Sequence, residues 1–128
     1  MSFESPLGRV LGLGSAREGA GHWYAQRVSA IAQAVLSLWF LFALATLGGL
    51  DLAHVRAWVA SPVVASLLLL YVATLAWHAI LGLQVVIEDY VGSKSVRLAA
   101  LIAVKFALVL AGVAAAVAVL RLALGAPA

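Results

Sequence analysis

The chain has 128 residues, 66% of them hydrophobic and 10% charged, with a formal net charge of +3 and a mean hydropathy of +1.13. A soluble domain is typically about 45–50% apolar and about 25% charged, so no water-soluble fold of this size hides so much apolar surface and the bilayer has to be part of the solvent. The chain holds no cysteine, which excludes thiolate-held iron–sulfur clusters, disulfides and cysteine-based catalysis within it, and Met1 is its one methionine.

Residues 1–27 carry Arg9, Arg17 and Arg27 but no apolar core of signal-peptide length, and Glu4 and Glu18 interrupt them. Gly12, Gly14, Gly19 and Gly21 predict an irregular cytoplasmic N-terminal segment. Gly12-Leu13-Gly14 does not make a nucleotide loop, because no strand precedes it and no third glycine follows at the required spacing. Three apolar runs follow, at about 28–50, 59–87 and 96–124. Each meets or exceeds the roughly 20 residues that cross a hydrocarbon core of ~30 Å. The second is longer than needed and is expected to tilt or project. The connections are short: residues 51–58 carry charge and His54, and residues 88–95 carry charge with Gly92 and Ser93. The expected fold is an all-α membrane protein, three transmembrane helices in one bundle over 28–124 with a short tail at 125–128. No nucleic-acid partner is expected of such a chain.

Lys and Arg set the orientation. With three spans, the N-terminal segment and the second connection share a side that holds Arg9, Arg17, Arg27, Lys94 and Arg97. The other side holds Arg56 and Arg121, and Lys105 lies within the third span. The N-terminus is therefore expected inside, which also puts Asp89 and Tyr90 at the cytoplasmic surface.

The stretch His78-Ala-Ile-Leu-Gly-Leu-Gln-Val-Val-Ile-Glu-Asp-Tyr90 concentrates the chemistry. Polar groups in hydrocarbon are expensive and usually mark function, so a histidine inside a span needs a reason. His78 and Asp89 are eleven residues apart, close to three helical turns, and so face nearly the same way with a rise of ~16 Å between them. Gly82 lies on that face one turn beyond His78, and Tyr71 continues it two turns before. A bare patch beside an imidazole suits a flat macrocycle or a neighbouring helix.

His78-x-x-x-Gly82, followed by Asp89-Tyr90 at the end of the second of three spans, resembles the hydrophobic membrane-anchor D subunit of succinate dehydrogenase, respiratory complex II. The stretch from Gly12 to Ile31 is similar to the alphaproteobacterial members of that family, and length and span count agree. The sister C subunit has a second His and an Arg soon after the glycine, whereas Leu83, Gln84 and Val85 stand here. The resemblance implies a bacterial inner-membrane subunit. His78 then supplies one axial ligand to a b-type haem whose other ligand comes from a cytochrome b556-type C subunit. It implies ubiquinone bound by Tyr90, with Asp89 its acidic neighbour, and Arg27 near the haem propionates and quinone pocket. His22 falls in the propionate vicinity, although a nearby histidine in relatives is offset by one residue from the arginine. The implied partners are the C subunit, an iron–sulfur subunit, a flavoprotein subunit and the bilayer. No complete active site is expected in this chain alone.

The chemistry is consistent with that reading. Reducing a quinone takes two electrons and two protons; a phenol at Tyr90 can hydrogen-bond a quinone oxygen, and Asp89 can influence nearby protonation. Plainer readings stand beside it. A histidine in a span also serves as an interhelical hydrogen-bonding group, and an Asp-Tyr pair also forms an interfacial boundary. Arg27 also serves as a positive-inside anchor, Lys105 snorkels to the interface, and His54 is expected to be solvated. Trp23, Trp39, Trp58 and Trp77 include interface anchors, with Trp39 and Trp77 placed deeper, where they can pack against a cofactor. The competing function is a small three-helix membrane interaction or transport protein without haem. A transporter is expected to show internal repeats or paired broken helices, and neither is present.

Overall fold

The computed structural model describes the backbone of residues 16–125 and the side chains of residues 20–125. The Gly12-Leu13-Gly14 reading and Arg9 lie outside the described residues, as does the Arg17 side chain. Four helices make up the described chain: α1 (Ala16–Thr46), α2 (Leu52–Val59), α3 (Pro62–Tyr90) and α4 (Lys94–Ala123). Three of them, at Ala20–Thr46, Pro62–Tyr90 and Lys94–Ala123, are long and apolar enough to cross a membrane. At 1.5 Å per residue α3 reaches about 43 Å, well beyond a ~30 Å hydrocarbon core, so it tilts or projects from it.

The helix ends differ from the sequence-based limits, each for a local reason. α1 is already helical at Ala16, inside the segment expected to be irregular, and runs through Gly19 and Gly21. A Cβ at Gly21 would meet nothing within 4 Å. Such a glycine lowers helix propensity by about 1 kcal/mol relative to Ala without ending the helix, and the Ala, Arg, Glu and Gln around it favour helix. α1 stops at Thr46, whose hydroxyl bonds back to the carbonyls of Phe42 and Ala43, and Gly48 and Gly49 follow.

The connection at 51–58 is helical rather than a loop. Asp51 caps α2, its carboxylate accepting from the amides of Ala53 at 3.0 Å and His54 at 3.3 Å. The imidazole of His54 also pairs with Asp51, so this histidine has a protein partner although it is exposed. α3 opens with Pro62 in its first turn, where the missing N–H costs nothing.

α3 is the central helix. α1 and α4 both pack against it, and among the described residues no Cα of α1 comes within 8 Å of one of α4. On the α4 side small residues set the spacing: a Cβ at Gly112 would lie 3.3 Å from that of Ala76. α2 rests on the ends of α3 and α4. Its Trp58 stacks on Trp39 of α1 at 6.2 Å, and Phe40 stacks on Tyr71 of α3 at 5.3 Å. Among the described residues the buried apolar side chains are Val59, at 2% exposure, and Leu36, Leu68 and Leu81. Most of the remaining apolar surface faces outward, as lipid-facing and partner-facing helices require.

Candidate functional site

The face of α3 singled out in the sequence packs against α1. On α1, His22, Gln26, Ser29, Gln33 and Ser37 recur at spacings of three and four, which puts them on one side of the helix. That side meets Tyr71, Thr74, His78 and Gly82. The hydroxyl of Ser29 lies 3.0 Å from Nδ1 of His78. The Thr74 hydroxyl lies 3.3 Å from Oε1 of Gln33, and Ser37 and Tyr71 share a hydroxyl–hydroxyl bond at 3.2 Å. Interhelical bonds of this kind average about 0.6 kcal/mol in membrane proteins, so the three together contribute about 2 kcal/mol and fix the register of α1 on α3.

Gly82 lies at this contact. A Cβ there would lie 3.3 Å from Nε2 of Gln26, so the neighbour at the bare patch is helix α1. Ser29 is the one buried polar residue among those described, at 7% exposure. Its hydroxyl also lies 3.0 Å from the carbonyl of Gln26, to which it donates. Nε2 of His78 has no hydrogen-bond partner among the described residues. Nε2 of His22 and Oε1 of Gln26, on the α1 face that meets α3, are buried without a partner, as is Nε of Arg56 on α2. Unpaired buried polar atoms are rare in native structures and ask for a group from outside the chain.

Asp89 and Tyr90 are the last residues of α3, and both are exposed, Tyr90 at 85%. The turn that carries them is held in place. Gln84 donates to the Glu88 carboxylate at 2.8 Å, Arg97 of α4 reaches the Glu88 carbonyl at 3.5 Å, and the Val91 amide closes on Ile87. Arg97 thus satisfies a carbonyl that the end of the helix leaves open.

Arg27 sits apart from this group. It lies two positions before Ser29, some 200° round the helix, and its guanidinium rests 5.3 Å over the ring of Trp23. Among the described residues it makes no bond to His22, Asp89 or Tyr90. Lys105 is exposed on α4. Trp77 is exposed as well, while Trp39 packs on Trp58.

Sequence reading missed Gln26, Ser29 and Arg97 as parts of the site. The recurrence of polar side chains along the first span was a usable signal for the first two. Arg97 gave none beyond its charge. Among the described residues no cluster of three or more His, Cys, Asp or Glu side chains is placed to hold a metal ion. What the arrangement offers is one half-buried imidazole with a free nitrogen, beside orphaned polar atoms, and an exposed acid–phenol pair on the same helix.

Comparison with known proteins bears on what this serves. The family model for the succinate dehydrogenase/fumarate reductase transmembrane subunit matches residues 1–119. A succinate dehydrogenase hydrophobic membrane anchor subunit from Rickettsia bellii is 37% identical over 117 residues, 91% of this chain and 94% of the relative. The subunit of the same description from Paracoccus denitrificans is 35% identical over 127 residues, 98% of this chain and 97% of the relative.

Proposed function

Because the chain belongs to the succinate dehydrogenase/fumarate reductase transmembrane subunit family and is a membrane anchor subunit of succinate dehydrogenase, we propose that it presents His78 as one axial ligand to a shared b-type haem and lends Asp89 and Tyr90 to a quinone-reduction site. It is a multi-pass protein of the bacterial inner membrane, and its family membership implies flavoprotein and iron–sulfur partners. In this reading the N-terminus of α1 and the turn between α3 and α4 face the cytoplasm, on the Lys and Arg balance, and the iron–sulfur subunit docks there. A second anchor subunit supplies the other ligand along the open side of the α1–α3 pair.

The observation that carries the proposal is the pairing of Nδ1 of His78 with Ser29 while Nε2 keeps no partner. Metal-bound histidines almost always engage their second ring nitrogen in this way, leaving the first for the metal. The unpartnered Nε2 of His22, on the α1 face that meets α3, fits the polar edge of such a group. The haem would supply a one-electron redox centre. The chain's own residues would hold it on one side, keep the imidazole oriented and place a hydrogen-bond donor at the quinone. Tyr90 would donate from its phenol to a quinone oxygen, and Asp89 would bias proton delivery to the product. The exposure of Tyr90 leaves it open to a substrate seated between this chain and its partners.

The test is a dithionite-reduced minus oxidised optical spectrum of the assembled complex, purified through a tag on this chain. The expected result is a low-spin b-type signal that His78→Ala removes or shifts. A partner-bearing complex without haem, or a signal indifferent to the substitution, overturns the ligand role.

A further inference from the structure

We propose that Ser29 is a positioning residue that fixes the tautomer of His78, accepting a hydrogen bond from Nδ1–H so that the lone pair is presented at Nε2. The inference rests on the reading of His78 as an iron ligand and assigns a role to a residue of a different helix.

Proton count sets the direction of this bond. A serine hydroxyl has one proton to give. Here the Ser29 oxygen has two neighbours, the carbonyl of Gln26 and Nδ1 of His78, both at 3.0 Å. A carbonyl has no proton to offer, so the hydroxyl donates to Gln26 and faces the imidazole with a lone pair. Nδ1 must then carry the ring's proton, and in a neutral imidazole that leaves Nε2 unprotonated. Burial sharpens the choice: Ser29 is 7% exposed, so water does not compete for the Nδ1 proton from that side. The acceptor is a neutral hydroxyl, weaker than a carboxylate, and it pulls the Nδ1 proton only modestly. Removing it makes the imidazole a poorer donor to iron. A poorer donor stabilises the ferric state less, which moves the haem midpoint potential upward.

A purely structural role for Ser29 is the rival, because Ser37 bonds Tyr71 across the same helix pair. The two roles separate by measurement on the assembled complex. Potentiometric titration and low-temperature EPR are recorded for S29A, S29T and S37A, with His78→Ala as the ligand control. Positioning predicts a higher midpoint potential and altered low-spin g-values in S29A, recovery of the parent values in S29T, and parent values in S37A. Loss of haem in S29A with retention in S29T supports it equally. A parent-like S29A overturns it, as does an S29T that behaves like S29A, or an S37A that shifts as S29A does. A His78→Ala complex that keeps the parent spectrum overturns the ligand reading along with it. A spectrum lost in His78→Ala beside an unchanged S29A overturns the positioning role alone.

Discussion

At the scale of single residues, the chemistry divides between the seam where α1 meets α3 and the mouth of α3. Tyr90→Phe keeps the ring and removes the hydrogen bond. It is expected to lower quinone reduction by roughly tenfold, the scale of about 1.4 kcal/mol in a transition state. Succinate oxidation with an artificial acceptor should be untouched, and steady-state assays with the two acceptors side by side check the split. Equal rates with quinone would remove Tyr90 from the role. His78, Asp89 and Tyr90 were legible in the sequence because a polar side chain stands out against an apolar run. Ser29 was not, since serine is tolerated in a span and its pairing depends on the rotation of one helix against another. Gly82 was legible as a site of close approach, and Gln26 of the neighbouring helix approaches it.

At the scale of the elements, the spans followed from their apolar runs while the short helix α2 did not. Eight residues give too little periodicity to distinguish a helix from a loop, and the cap that forms it depends on Asp51 folding back on its own amides. The His54 amide, then the His54 imidazole, and the Ala53 amide hold the Asp51 carboxyl below its ordinary value of 3.8. A carboxyl whose pKa is lowered by folding stabilises the fold fully above its unfolded value, and that stabilisation is lost as pH falls through the lower folded value. Amide protection of α2 in hydrogen exchange is therefore expected to hold at neutral pH and to decline below about pH 3.8. Asp51→Asn should flatten that dependence; an unchanged acid response would contradict the cap. On the other side of the molecule, Gly112→Val pushes a branched side chain against Ala76. Overpacking typically costs about 1–3 kcal/mol, so the variant complex should unfold at a lower temperature, and a melting curve in detergent reads it. An unaltered melting point would mean that α3 and α4 are not held at that spacing.

At the scale of the whole molecule, α3 joins α1 and α4, whose Cα atoms stay more than 8 Å apart among the described residues. Exposed side chains such as Leu38, Phe42, Phe106 and Leu110 leave wide apolar surfaces for lipid and for partner subunits. In the proposed function one histidine on these helices would fill one axial position, so half a haem site would be coherent in a subunit and not in a free-standing protein. The measurement that tests this most directly is the EPR spectrum of the oxidised, assembled complex before and after His78→Ala. The expected result is the low-spin signal of iron held by two imidazoles in the parent and its replacement by a high-spin signal, or its loss, in the variant. The same low-spin signal in both would contradict it.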